Sequence, residues 1–505
     1  MKVLNENIVV FLVICYLMLF TGIASDDYIF IDLYSHDKFN SFYYPLTNVV
    51  ATPILHYTHV LFYKLFNLNY LLYDTLKILW IFISFLMIKK FFSLFISPQK
   101  SLLVSFLFIY FPTHDSSTYW FLAQYLMLTI SFYMFAYYLA ENNKLALSFI
   151  FAFLASFVSY GSTPVAVSLF LLFLLQKEYK KSILILIPNL LYIVYYIYLT
   201  KFLMIGTARL HDTNFIVIIK QYILQMGTFL DSSIGPSFWF KIYFAFHSLT
   251  VVSIVVGIFC VILFYQYYKP KKEKLNKVLL VSLLTMTCLA FGIFALTGFY
   301  PQLVFNLGNR VSIYGALLLV FLIVMLLMND KKYATIIFSI SIFTILGISD
   351  HWKEWNKVQL QILKNITLNK DIKKFDRTKQ LFVTYNQFSK FGIISHIEFF
   401  TEGIPNQIFK LATKKTYKVS TLNGRFYYKN NQIIDRKYNF KIEVKDDINV
   451  YDSKRDVLLV IKKENIQEYI NNLPKDNRHW LQLLDKDNFI MKIVLKLMPR
   501  LEYVL

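Results

Sequence analysis

Among 505 residues there are 14 glycines, 12 prolines and three cysteines, and only 16% of the chain is charged. So little glycine and proline excludes a collagen-like chain, and with 57% hydrophobic residues a disordered chain is excluded as well. Cys15, Cys260 and Cys288 all fall inside apolar runs. They offer neither a disulfide framework nor a metal site, and read as buried apolar thiols. A Walker-type phosphate loop, a Rossmann glycine fingerprint, an HExxH helix and a GxSxG elbow are missing too, which removes support from an ATP-driven pump and from the common membrane hydrolases. The net charge of +21 comes without zinc-finger spacing, a helix-turn-helix pattern or an aromatic-basic RNA module. Nucleic acid is therefore not expected as a partner.

What the chain does contain is apolar surface in long unbroken stretches, with 50 phenylalanines, 37 tyrosines and a mean hydropathy of +0.49. A soluble core of this size cannot hide so much of it, and the bilayer is the expected solvent. Eleven spans are expected, near 7–24, 75–96, 101–113, 118–140, 145–160, 164–176, 182–200, 242–266, 277–299, 312–328 and 333–349. Those at 101–113, 145–160 and 164–176 are short enough for one to be re-entrant. Charged residues are nearly missing from the span centres, which weakens an ion-coupled transporter.

Lysines cluster in alternate connections: Lys2; Lys89, Lys90 and Lys100; Lys144; Lys177, Lys180 and Lys181; Lys269 to Lys277; Lys331 and Lys332. The positive-inside rule sends these to the cytoplasm. The N-terminus is then cytoplasmic, and residues 350–505 lie outside the cytoplasmic membrane, periplasmic or extracellular. A secretory signal over residues 1–25, with Gly22 and Ala24 ahead of Ser25, would leave every outer loop outside.

Two outer loops are long, 25–74 and 201–241. Their stretches Pro53 to Phe66 and Ile216 to Phe229 carry apolar residues at helical spacing and suggest interfacial helices. Residues 350–505 are richer in charge. Strands are expected at Gln380 to Tyr385, Thr416 to Val419, Arg425 to Tyr428, Tyr438 to Val444 and Val457 to Ile461, in a soluble α+β domain. The expected fold class is thus a polytopic α-helical membrane protein, residues 1–349, followed by an extracytoplasmic α+β domain.

The first outer loop holds most of the chemistry. Asp26 and Asp27 follow the first span directly, Asp32, His36 and Asp37 come next, and His56 and His59 sit on the Pro53 to Phe66 helix. A carboxylate partly desolvated at a membrane surface can take a proton from an attacking hydroxyl, although adjacent aspartates can equally cap a helix. His114 and Asp115 open a second outer connection, where Asp115 reads first as an N-cap and second as a substrate contact. Arg310 stands at the outer mouth of the tenth span, where a guanidinium either binds a lipid phosphate with two hydrogen bonds or snorkels. Arg209 offers a similar contact.

With these residues in place the membrane part resembles the GT-C superfamily of integral-membrane glycosyltransferases, which includes protein O-mannosyltransferases and bacterial enzymes that decorate surface polysaccharide. The similarity lies in Asp26-Asp27-Tyr28 after the first span, in the Pro53 to Phe66 helix with its Leu-Asn-Leu-Asn link, and in Arg310 near a late helix mouth. The resemblance implies an inverting transfer from a polyprenyl-phosphate-linked sugar to a cell-surface glycan, lipid or protein acceptor. It implies Asp26 or Asp27 as general base and Arg310 against the departing phosphate. His36, Asp37, His56 and His59 would orient sugar or phosphate. No cofactor is required on this reading, with Mg²⁺ or Mn²⁺ as the alternative.

A surface-polysaccharide polymerase or ligase is the nearest rival, and a non-catalytic lipid or oligosaccharide flippase the rival from another class. The aspartate pair speaks against the first and the nearly uncharged spans against the second. Tyr427, Tyr428, Arg478, His479 and Trp480 are the sugar-stacking candidates of the C-terminal domain. The heavy use of Lys, Asn, Phe, Tyr and Ile suggests a bacterium with an AT-rich genome.

Overall fold

A computed structural model describes residues 6–35, 51–203, 214–297, 303–385, 387–391, 397–400, 403–436, 439–475, 479–499 and 502. The chain divides into two compact units. One is Met1–Gly22 with Leu33–Trp352, and the other is Ile23–Asp32 with Lys353–Leu505.

The first unit is a bundle of apolar helices. Among the described residues six helices are long and apolar enough to cross a membrane: Tyr70–Phe92, Phe121–Glu141, Tyr179–Phe202, Lys277–Leu296, Leu307–Leu327 and Lys331–Leu368. A seventh span is counted if Pro236–His247 and Val251–Tyr267, bent by 112° to each other, are taken as one. Eleven were expected, and the difference is one of length. Glu6–Met18, Leu145–Val158 and Ser162–Leu175 are apolar but have only 13, 14 and 14 residues, and Pro98–Ile109 has 12. An apolar run counts residues whether or not they are coiled, and here turns consume part of each run. The chain is a membrane-embedded helical protein.

The bend at 248–250 has a visible cause. Asp350 accepts hydrogen bonds from the Thr250 N–H (2.8 Å) and hydroxyl (2.9 Å), and Thr250 in turn caps Val251–Tyr267 by accepting from the Ser253 N–H. Those bonds satisfy helix-end donors that water would otherwise have to serve. Elsewhere the helices are joined through small hydroxyls and amides in apolar surroundings. Ser84 meets Ser131, Tyr133 meets Ser156, and Asn189 donates to Ser162.

One close approach depends on glycine. A Cβ at Gly347 would land on the Ala245 backbone carbonyl, which cannot move aside as a flexible side chain can. Gly347→Ala is expected to cost about 1–3 kcal/mol by overpacking. At Gly227, on the helix Phe215–Ser233, a Cβ would meet nothing within 4 Å. Gly227→Ala is expected to leave stability unchanged or raise it by about 0.5–1 kcal/mol. Thermal unfolding of the two variants in one detergent compares them directly.

The second unit is built on a four-stranded sheet of order β4-β1-β8-β9. β1 is Gln380–Thr384, β4 Lys418–Thr421, β8 Ile448–Asp452 and β9 Val457–Ile461, while β2 (Gln387–Phe388) and β3 (Ile397–Glu398) form a short antiparallel pair between β1 and β4. β1 runs parallel to both β4 and β8, whereas β9 returns antiparallel. The helix Pro405–Thr413 lies on the crossover from β1 to β4. A three-stranded antiparallel sheet of β5 (Phe426–Lys429), β6 (Gln432–Asp435) and β7 (Lys441–Glu443) fills the connection from β4 to β8. Phe382, Val450, Leu422, Phe426, Ile433 and Ile466 belong to a core shared by both sheets. Arg425 donates from Nε and Nη2 to both oxygens of Asp435, a fully buried two-pronged pair.

Candidate functional site

The charges of the first unit separate along the bundle. At one end the lysine-rich connections meet: Lys100 Nζ donates to Asn329 Oδ1 (2.7 Å), the Ser97 N–H to Glu273 (3.1 Å), and Tyr268 Oη to the Met328 carbonyl (2.7 Å). At the opposite ends of the same helices lies a layer of buried polar groups.

Asp115 is the centre of that layer. It is the first residue of the helix Asp115–Tyr119. Its Oδ1 accepts from Lys241 Nζ (2.6 Å) and Asn309 Nδ2 (2.5 Å), and its Oδ2 accepts from Trp352 Nε1 (2.8 Å). All four side chains are buried. Ser116 Oγ donates to Asn309 Oδ1 (2.5 Å), so the amide is fixed from both sides. Asp115 is thus a hub tying four segments of the fold.

A second buried pair stands beside it. Asp74 and Lys77, one turn apart on the helix Tyr70–Phe92, are 2.9 Å from each other. Asp74 accepts the N–H groups of Phe20 and Gly22, while Lys77 donates to the Thr21 hydroxyl and to the carbonyls of Gly22 and Tyr119. The chain leaving the first helix is held by these bonds, which replace the water its backbone would need.

Arg310 lies in the 3₁₀ turn Leu307–Ser312 beside Asn309 and is half-buried. Its Nη1 donates to the Leu307 carbonyl (2.8 Å), and the guanidinium sits over the Trp120 ring at 5.4 Å from the centroid. Both contacts fix the direction of a planar, permanently charged group. Lys241 is paired with Asp115.

The histidines are packed among aromatic rings. His59 Nδ1–H donates to the Leu55 carbonyl (2.8 Å), and its ring is 4.7 Å from that of Phe121. His56 Nδ1 is 3.4 Å from the Tyr34 hydroxyl, and His114 Nε2–H donates to the Phe108 carbonyl (2.8 Å). Burial pushes His59 and His114 down to about 4, against an ordinary value of 6.5, although bonds to backbone carbonyls pull the other way. Both are therefore neutral when folded and take up protons on unfolding. Stability they contribute is present above pH 6.5 and is lost as pH falls toward 4, by about 3 kcal/mol for each histidine. His114→Gln keeps a donor for the Phe108 carbonyl. It is expected to shrink the drop in unfolding temperature between pH 7 and pH 5, measured by intrinsic fluorescence.

The aspartates after the first helix belong to the second unit. Ser25 has a left-handed backbone, φ 54°, a conformation that costs energy for a residue other than glycine. Asp27 is fully buried, and its carboxylate reaches back to accept the Ala24 N–H (2.8 Å) at the start of the helix Asp27–Ser35. Asp26 keeps part of its surface exposed, with the Ser25 hydroxyl 3.5 Å from Oδ1. Asp32 is held by Lys410, whose Nζ reaches both carboxylate oxygens at 2.7 and 2.8 Å. His36, Asp37, Arg209 and Arg478 lie outside the described residues. Among the described residues, no three His, Cys, Asp or Glu side chains gather as metal ligands do.

Lys241, Asn309, Trp352 and the Asp74–Lys77 pair were not singled out from the sequence. A usable signal existed for Lys241, a lone cation inside the aromatic stretch Phe238 to Phe244, because such a charge needs a partner. Fold and polar layer together define a polytopic helical membrane protein with a buried charged layer at one end of its bundle and a strand-containing C-terminal region. Comparison with protein-family models, with curated proteins and with solved structures returns no match.

Proposed function

We propose that the protein is an inverting membrane glycosyltransferase of the GT-C kind, moving a sugar from a polyprenyl phosphate to an acceptor on the outer face of the cytoplasmic membrane. The observation that carries the reading is the buried polar layer with Arg310 at its half-exposed margin, at the bundle end opposite the lysine-rich connections. A bundle made only for support has no use for so many desolvated charges on one side, whereas handling an anionic lipid headgroup requires them. The finer architecture belongs to the same proposal: the short apolar helices and the bent pair complete about eleven membrane segments, the lysine-rich end is cytoplasmic, and the C-terminal region is extracytoplasmic.

In the reaction Arg310 steadies the departing polyprenyl phosphate. Negative charge grows on that phosphate as the C–O bond to the sugar breaks, so a fixed cation stabilises the transition state more than the ground state. Asp26 takes the proton of the acceptor hydroxyl, and Asp27 shapes the turn that presents it. Arg310→Ala is expected to lower kcat/KM for a polyprenyl-phosphate donor by about 10²-fold, a loss that Arg310→Lys restores only in part. The measurement is initial-rate transfer of radiolabelled sugar in proteoliposomes. Unchanged kinetics in Arg310→Ala would remove the residue from the reaction.

A further inference from the structure

The second unit carries a crevice that the transferase reading does not use. In its four-stranded sheet the chain runs from β1 to β4 on one side and then to β8 on the other, so the strand order reverses at β1. In open sheets with parallel strands, ligands bind outside the carboxyl ends of the strands at such a reversal. A cavity of about 510 Å³ lies there, within the range of small-molecule sites. Its walls include Tyr385, directly after β1; Asn423, after β4; Ser453 and Lys454, after β8; and Gln361 and Asn365 from the helix Lys331–Leu368.

The walls are built rather than incidental. Ser453 Oγ donates to the carbonyls of Thr384 (2.8 Å) and Tyr385 (3.1 Å), tying the ends of β1 and β8 together. Asn423 is 3% exposed, and its Oδ1 accepts the Arg425 N–H (3.1 Å), which fixes the orientation of the amide. Its Nδ2 is buried without an acceptor among the described residues. An amide donor in that position is unfavourable until something accepts its hydrogen bond.

The chemistry of the walls selects the ligand. A phosphate or nucleotide site at such a reversal relies on a helix N-terminus or a nest of free backbone N–H groups. Here β8 turns back directly into β9, and the N–H groups of Lys454 and Arg455 are both taken by Asp452 Oδ1. What remains is side-chain amide, hydroxyl and aromatic surface from Asn423, Gln361, Asn365, Tyr385 and Phe388 beside the single ammonium of Lys454, and among the described residues no carboxylate lines the cavity. Amides that donate and accept beside aromatic faces suit a polyhydroxylated ring. We propose that this crevice is a saccharide-binding site, with Asn423 Nδ2 donating to a ring or hydroxyl oxygen of the sugar.

The proposal goes beyond the transferase reading and does not depend on it, because binding is measured with no lipid donor present. The full-length protein in lipid nanodiscs is titrated by saturation-transfer NMR with glucose, galactose, N-acetylglucosamine and rhamnose, and separately with inorganic phosphate and UMP. At least one of the four sugars is expected to bind at millimolar concentration, with neither phosphate nor UMP displacing it. Asn423→Asp keeps the acceptor for Arg425 but removes the donor, and weakens that binding by about tenfold. Asn365→Trp fills the cavity from the helix side and abolishes it, with thermal unfolding unchanged. Absence of binding by all four sugars overturns the proposal, as does sugar binding unaltered in both variants. Binding of phosphate or UMP that Asn365→Trp removes overturns the ligand class.

Discussion

Asp26→Asn is expected to lower sugar transfer by about 10²- to 10⁴-fold while leaving the unfolding temperature at its wild-type value. Asp27→Ala is expected to do the reverse, costing about 1 kcal/mol of stability and leaving transfer within a few-fold of wild type. The two neighbours differ in what their carboxylates already do. Asp27 is wholly buried and serves the Ala24 N–H, so its loss orphans a donor in the turn. Asp26 retains surface and follows the left-handed Ser25, and in the proposed reaction the exposed part of its carboxylate meets the acceptor hydroxyl. Asparagine at position 26 preserves size and polarity but cannot take a proton, and so separates chemistry from folding. Initial rates and unfolding curves on the same preparations check both halves. Wild-type transfer in Asp26→Asn together with loss in Asp27→Ala would exchange the two assignments.

Asp115→Ala is expected to cost about 3–5 kcal/mol of stability, the larger effect of any single change in the polar layer. Its removal leaves the Lys241 ammonium buried without its counter-charge and takes the acceptor from both Asn309 and Trp352. Lys241→Met is expected to cost less, because Asn309 and Trp352 still serve the carboxylate. The double change Asp115→Asn with Lys241→Met removes both charges and retains an acceptor for the tryptophan, and should recover much of the loss. Unfolding temperatures of the wild type, Asp115→Asn, Lys241→Met and the double variant in one detergent form the cycle. Strict additivity of the two single losses would show that the 2.6 Å contact carries no coupling.

The helical elements were legible where a local signal coincided with the element's own boundaries. Pro53 to Phe66 is a helix with those limits, since proline opens it and Asn67, with φ 46°, closes it. Ile216 to Phe229 is found inside Phe215–Ser233, and Val457 to Ile461 is β9. The span count was less legible, because hydropathy does not register the turns that shorten Glu6–Met18 or the capped break at Thr250. Strand β8 was missed: its Ile-Asn-Val-Tyr-Asp follows Asp446 and Asp447 and is broken by Asn449, and its parallel partner β1 lies far off in the sequence. The site shows the same division. The aspartate pair and Arg310 are proposed from position alone, whereas the bonds of Asp115 to Lys241, Asn309 and Trp352 span 126 to 237 residues and leave no local trace.

The most direct test of the central claim is transfer by the purified wild-type protein in proteoliposomes supplied with polyprenyl-phosphate-linked radiolabelled sugars and membranes bearing acceptors. The account predicts label in an acceptor with release of polyprenyl phosphate in equal amount, and loss of both in Asp26→Asn. Release of neither product from any donor, by protein that unfolds cooperatively and is correctly inserted, would contradict it.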